Sequence, residues 1–250
     1  MNEKQELLEK IKEKKELAGV DDHIILKTLD ASLKKQGLDA KKLEKLSSKD
    51  KKLLVKLVRE KLRYLSGQYI NTNEYRSTEE RKESYPLIKK LIDQLQITSI
   101  IDFGCGENPL ELATSGVQYY AYDIRKDVIT KINYFFKRNK IPGIAKVYDI
   151  RNLDAKDFPK ADLCLLFKIL DLVEEKKGHK KAEEILKTLD CQRYLISFST
   201  KTLSGKSMRH PQRGWIERLL TRLDYSWESI PTFNEIFYLA SKNKSNTSRN

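Results

Sequence analysis

Cysteine is scarce: 250 residues hold three, Cys105, Cys164 and Cys191, far apart and with no CxxC pair. That spacing excludes a disulfide framework and a cysteine zinc site, and it suits a reducing cytoplasm. Long apolar runs are missing too. Nothing approaches the ~20 residues that cross a bilayer, and the charged start "MNEKQELLEK" lacks the apolar segment of a secretory leader. His23, His179 and His210 are scattered singly and read as surface residues. No Ser-His-Asp, Cys-His or paired-carboxylate set stands out, which argues against nucleophilic and acid–base catalysis. These absences predict a cytoplasmic protein with no membrane span and no metal.

What the chain has in quantity is charge. Forty-nine Lys and Arg face 36 Asp and Glu, a net +13. Such a balance favours a polyanionic partner, with a solvated Lys/Glu-rich surface as the plain alternative. At 39% apolar residues the chain can still bury a core.

The pattern changes near residue 85. Before it, three amphipathic segments read as helices. The first carries Leu7, Leu8, Ile11 and Leu17 and stops at Gly19. The second has an Asp cap and a stripe of Ile25, Leu26, Leu29 and Leu33, and stops at Gly37. The third carries Leu54, Leu57, Val58, Leu62 and Leu65 and closes at Gly67. Residues 1–84 are therefore expected to form a helical bundle with basic outer faces, a candidate RNA-binding domain.

From 85 to 240 short apolar strands alternate with helices, the signature of a mainly parallel sheet covered on both faces. Ser84 is expected to cap a helix that has Pro86 near its start. Strands are expected at Ser99–Phe103, Tyr119–Tyr122, Ala145–Tyr148, Asp162–Phe167, Tyr194–Phe198, Tyr225–Ser229 and Phe233–Leu239. Helices are expected at Asp127–Arg138, Glu174–Leu189 and Gly214–Leu223. The last two strands should form a hairpin. Residues 241–250 read as a disordered tail.

Ligands of open α/β sheets bind at the carboxyl ends of the strands. "DFGCGENP" sits there, after the first strand, with Gly104 and Gly106. A dinucleotide fingerprint wants a third glycine where Pro109 stands, and no Gly-Lys-Ser/Thr marks a nucleotide-phosphate loop. What remains is an acidic residue, Asp102, followed by a turn through Gly104, Cys105 and Gly106 that admits a phosphate-free ligand. Asp123 closes the second strand, where a carboxylate can accept both ribose hydroxyls. Asp149 closes the third, able to accept from an adenine amine while Ile150 packs on the ring. Together these describe an adenosine with a phosphate-free group at the turn, which is the shape of S-adenosylmethionine. Ile124 and Phe167, at the ends of the second and fourth strands, complete the expected cofactor set.

"STEER", "DFGCGENPL", "YYAYDI", "LLFKILDLVE", "SFSTKTLSGK" and "NEIFYL" resemble the aminoglycoside-resistance methyltransferases that modify N7 of a guanine in 16S ribosomal RNA. The resemblance runs nearly end to end through the α/β part. It implies a class I, Rossmann-like S-adenosylmethionine-dependent methyltransferase sheet behind an N-terminal helical domain. It implies an arginine of the "ST-x-ER" segment, Arg81 or the nearby Arg76, on the cofactor's carboxylate. The partner implied is 16S rRNA within the 30S subunit, met by a monomer, with antibiotic resistance as the outcome.

Methylation at guanine N7 needs no general base, because that nitrogen already presents a lone pair. Catalysis then rests on positioning, with the reacting atoms about 3–3.5 Å apart. Adenine or cytosine amino methylation would favour an Asn/Asp-Pro-Pro-Tyr/Phe motif where this chain has "LFKIL". Lys168, Lys201 and Met208 are the expected positioning residues, with Lys168 facing the substrate mouth. Lys201, Lys206, Arg209 and Arg213, in a long basic loop, are the expected phosphate contacts. Two other readings compete: a methyltransferase of another rRNA position or a small molecule, and a ribosome assembly factor without turnover.

Overall fold

A computed structural model describes residues 2–37, 43–44, 46–66, 70–71, 74–75, 81–174, 178–202 and 206–243. The N-terminal helices are α1 (Glu3–Lys12), α2 (Asp22–Lys35) and α3 (Ser48–Ser66). Leu7, Leu8, Ile11, Leu17, Ile25, Leu29, Leu33, Leu54, Val58 and Leu62 bury together as one core. The first helix is shorter than the apolar stripe implies. It ends at Lys12, and Leu17 reaches the core from a separate 3-10 turn, Lys15–Leu17. Asp21 caps α2 by accepting the His23 N–H, and Gly37, at φ +69°, follows its last turn. Gly67 lies outside the described residues. Segments Ile70–Asn71 and Glu74–Tyr75 pair as a short antiparallel ribbon.

The remainder is built on helices α4 (Tyr85–Gln94), α5 (Asn108–Leu112), α6 (Lys126–Arg138), α7 (Leu170–Val173), α8 (Lys180–Thr188) and α9 (Gly214–Arg222). The strands are β1 (Ser99–Phe103), β2 (Gln118–Asp123), β3 (Gly143–Val147), β4 (Ala161–Phe167), β5 (Cys191–Ser199), β6 (Tyr225–Pro231) and β7 (Glu235–Lys242). They form one sheet in the order β3-β2-β1-β4-β5-β7-β6, parallel except for β7, which runs antiparallel to both neighbours. Strand order reverses between β1 and β4, so the crevice for a ligand opens at their carboxyl ends. Alternate residues face opposite sides. Ile101, Cys164 and Ile196 pack with α8 and α9, whereas Ile100, Leu163 and Leu195 pack with α4 and α6.

Four further sequence expectations change. The helix expected over Glu174–Leu189 begins only at Lys180, because Gly178 (φ +114°) and His179 (φ +54°) take left-handed backbone. His179 is half-buried and stacks on Trp215 with ring centroids 3.9 Å apart, so it is not a free surface residue. Ser84 makes no side-chain cap for α4, and its hydroxyl instead donates to Thr232 Oγ1 at 3.4 Å. Two residues of the expected tail are strand instead: Ser241 pairs with Arg193 and Lys242 with Tyr225 in the sheet. Residues 244–250 lie outside the described residues.

The bundle is sewn to the sheet at the loop after β2. Val20 bridges Arg125, the Asp21 N–H donates to the Ile124 carbonyl at 3.0 Å, and the Lys126 N–H donates to that of Gly19 at 2.9 Å. At the outer strand β3, Gly143 faces α6, and a Cβ there would lie 2.7 Å from the Phe136 ring and 3.0 Å from the Tyr119 carbonyl oxygen. Gly143→Ala should therefore lose about 1–3 kcal/mol by overpacking. Gly116→Ala, where a Cβ meets nothing within 4 Å, should lose far less; denaturant titration of the two variants checks this.

Candidate active site

Gly104 and Gly106 take φ of +60° and +49°, backbone that residues with a Cβ avoid. A Cβ on Gly104 would lie 2.7 Å from Ile169 Cδ1, so the loop after β4 closes on that side of the turn. A Cβ on Gly106 would meet nothing within 4 Å, so there the backbone faces open space. Cys105 turns into the core, 1% exposed, and its N–H donates to the Tyr122 carbonyl at 3.1 Å. Burial raises its thiol pKa well above the ordinary value. It is a packing residue.

Asp123 stands half-buried at the end of β2. Its Oδ2 accepts the Gly106 N–H at 3.0 Å and its Oδ1 the Arg125 N–H at 2.9 Å. Burial raises its pKa, opposed by those two N–H donors. A carboxylate has about four acceptor sites, so capacity for two hydroxyls remains. The glycine turn and this carboxylate are thus one hydrogen-bonded unit. An adenosine ribose fits it: an open backbone cradle beside a fixed acceptor.

Behind the turn runs a buried polar chain that sequence reasoning largely missed. Lys168 and Arg81 both pair with Glu235 Oε1 at 3.1 Å, and all three are at most 4% exposed. Arg81 Nη1 donates to Asn108 Oδ1 at 2.8 Å, which also accepts from the Tyr85 hydroxyl at 3.0 Å. The Asn108 amide donates in turn to Asp102 at 3.3 Å, and the Tyr119 hydroxyl donates to Asp102 at 2.9 Å. Burial acts to raise the Glu235 pKa, yet Arg81 and Lys168 hold it below the usual carboxylate range. Asp102 goes the other way. Burial pushes it up to about 7, against the pull of Tyr119, Asn108 and Arg81. The signal for Glu235 was present as a lone charge opening the apolar run "EIFYLA"; a charge that begins a central strand needs a buried partner.

Other expected site residues are placed differently. Lys168 does not face the mouth; its ammonium turns inward to Glu235, because leaving that carboxylate buried with one cation fewer would cost more than solvating a lysine. Asp102 serves Tyr119 and Asn108 beneath the turn rather than the open side. Asp149 caps a 3-10 turn and is gripped by Arg151 at 2.7 Å, with Asn152 at 3.1 Å, so its oxygens serve its own loop. Ile150 is buried beside Tyr148 and Phe158, and Ile124 packs toward the helical bundle. Phe167 is buried with the Arg81 guanidinium 4.5 Å from its ring centroid. Arg76 lies outside the described residues.

The basic loop is more structured than its composition implies. Lys201 bridges Ser207, and the Met208 N–H donates to the Thr200 carbonyl at 2.8 Å, closing the base of a narrow hairpin. Residues 203–205 lie outside the described residues. Lys206 and Arg209 are exposed. Arg213 is not: it donates to the carbonyls of Pro211 at 2.9 Å and Ser199 at 3.3 Å, pairs with Asp171 at 3.6 Å, and approaches the Met208 sulfur at 3.6 Å. Its fork fixes the loop base, so it is not free for phosphate. Half-buried Met208 is held with it.

Asp102 makes a pH prediction. Its folded pKa, about 7, exceeds the ordinary 3.8. The folded form therefore holds a proton that the unfolded form has lost, and stability falls as pH rises from about 4 to 7. Asp102→Asn should flatten that slope, so that the variant gains on the unsubstituted protein between pH 5 and pH 8, by at most about 3 kcal/mol. Denaturant titrations at the two pH values check it.

Comparison with known proteins accords with this geometry. The chain superposes on the 16S rRNA methyltransferase RmtF, solved with S-adenosyl-L-homocysteine, with a TM-score of 0.76 at 20% identity, covering 97% of this chain and 100% of that one. It superposes on the 16S rRNA methylase RmtB with a TM-score of 0.72 at 19% identity, covering 97% and 99%. For the 16S rRNA methylase ArmA the values are 0.54 and 25%, covering 77% and 97%. These matches establish the class I methyltransferase fold. No curated protein sequence matches the chain significantly. The family model described as ribosomal RNA methyltransferase (FmrO) matches residues 69–239, and the chain belongs to that family of ribosomal RNA methyltransferases.

Proposed function

We propose that this protein transfers the methyl group of S-adenosylmethionine to N7 of a guanine in the decoding region of 16S rRNA, within the assembled 30S subunit, and so confers aminoglycoside resistance. The observation that carries the reading is the unit of the Gly104–Gly106 turn and Asp123 at the strand-order reversal, in a chain of the rRNA methyltransferase family. When bound, the cofactor supplies an electrophilic methyl group. The turn gives its backbone face, Asp123 accepts the ribose hydroxyls, and the buried Arg81 places positive charge behind the turn. The end of β4 supports N7 as the acceptor. Amino methylation favours an Asn/Asp-Pro-Pro-Tyr/Phe motif there, where this chain has "LFKIL" with Lys168 tied to Glu235. N7, with its lone pair already exposed, needs no such motif.

The N-terminal bundle offers a surface for RNA. A groove of about 710 Å³ between α1 and α3 is lined by Lys10, Lys14, Lys52 and Lys56 among others. Glu13 and Glu60 also line it: Arg59 and Arg63 are balanced by Glu13 and Glu16, and Lys56 lies 4.0 Å from Glu60. The groove and the exposed pair Lys206 and Arg209 place cations on two separate parts of the molecule. Drawing a base out of structured RNA typically costs a few kcal/mol, which binding to phosphates must offset.

Incubating naked 16S RNA, 30S subunits and small amines with labelled cofactor, then mapping N7-methylguanine by aniline cleavage and primer extension, tests the proposal. Label on 30S subunits at one decoding-region guanine is the expected result. Label on an exocyclic amine, or preference for naked RNA or small amines, overturns it.

Salt dependence separates gripping from mere solvation. Removing one cation that neutralises a phosphate should flatten the plot of log affinity against log salt by roughly 0.7–0.9. Replacing Lys10, Lys14, Lys52 and Lys56 by Gln, and separately Lys206 and Arg209, should each flatten it in filter binding to 30S subunits. Unchanged slopes would place the RNA elsewhere.

A further inference from the structure

Phe233 is 71% exposed, the most exposed large apolar side chain among the described residues, and it belongs to neither face of the sheet's core. It sits in the turn between β6 and β7. Two residues later Glu235 opens β7 opposite Ser199, at the carboxyl end of β5, and pairs with Lys168 just past β4. Two residues of chain span at most about 7 Å, so Phe233 stands at the carboxyl edge of the sheet, close to the reversal point.

Its position is fixed. The Thr200 N–H donates to the Asn234 carbonyl at 2.9 Å and the Thr200 hydroxyl to that of Phe233 at 3.4 Å, tying the turn to the base of the basic hairpin. The Lys201 ammonium lies 3.7 Å from the Phe233 ring centroid. Lys201, expected from sequence to position the target or hold phosphate, is thus engaged on an aromatic face. An anchored ring, largely open to solvent and bordered by the Lys201 cation in an rRNA methyltransferase, has the form of a stacking platform rather than of a packing residue.

We infer that Phe233 stacks on a nucleobase of the substrate RNA, unstacked from its helix at the mouth of the site, with Lys201 fixing the ring. An aromatic face accepts any base and needs no hydrogen-bond code. It lowers the cost of holding the base outside its helix, so its effect belongs to the transfer step rather than to cofactor binding.

The inference rests on the proposed function only in requiring an RNA substrate. Phe233→Ala, Phe233→Leu and Phe233→Trp are therefore compared on whichever ribosomal RNA form the unsubstituted protein methylates. Single-turnover rate at saturating enzyme, cofactor affinity by calorimetry and melting temperature are recorded for each. Stacking predicts that Ala and Leu slow transfer by on the order of tenfold, that Trp stays near the parent rate, and that cofactor affinity and melting temperature hold. Rescue by Leu would mean an apolar contact and overturn the inference, as would a full rate for Ala or a loss confined to melting temperature. Methylation at another atom or nucleotide refutes the proposed function and leaves this comparison intact; a parent protein that methylates no RNA refutes both.

Discussion

The carboxylate of Glu235, buried between Arg81 and Lys168, is the interaction on which the site depends. Residues 81, 168 and 235 come from the entry to the α/β part, the end of β4 and the start of β7. One anion therefore gathers three distant pieces of chain at a single edge of the sheet. Isolated, any of these charges would cost several kcal/mol to bury. Together they are tolerable because Asn108, Tyr85, Tyr119 and Asp102 extend the polar chain to the back of the glycine turn. The turn is thus flanked by members of this chain, Asp102 before it and Asn108 after it, and tied to Asp123 through the Gly106 N–H.

The cluster also divides labour among the charges. Glu235 stays ionised against two cations, whereas Asp102, further along and shielded by neutral groups, is pushed to about 7. Near neutrality the positive charge behind the turn then exceeds the negative. That asymmetry suits an anionic ligand group arriving from the open side.

How far this was legible in the sequence depends on what kind of fact is asked for. The strands β1, β4 and β5 stood out because central parallel strands are apolar on both faces, and Ser99–Phe103 matched its expected bounds at both ends. The hairpin of β6 and β7 followed from the three residues between its expected strands. The start of the helix before Leu189 was misjudged because Glu and Lys, good helix formers, run ahead of its apolar face, whereas Gly178 and His179 take left-handed backbone. Side-chain direction was less accessible still. Asp123, the last residue of β2, turns to the glycine turn, while Asp149, two residues past the end of β3, turns to Arg151, and only the following residues of each loop decide that. Lys168 and Arg213 look like free cations in one dimension. Their partners, Glu235 and Asp171, are 67 and 42 positions away, too far for any local pattern to connect.

The seam between Gly19–Asp21 and Ile124–Lys126 does more than hold a bundle against a sheet. Arg125 donates its backbone N–H to Asp123 while its guanidinium reaches the Glu16 carbonyl at 3.3 Å. One residue thus touches the carboxylate beside the glycine turn and the helical bundle at once. Any ligand that orders this loop from one side changes the free energy of binding on the other, and the return effect must be equal in size. Through Arg125, a ligand that held the crevice loop in one arrangement would be felt at Glu16, and one that held Glu16 would be felt at the crevice.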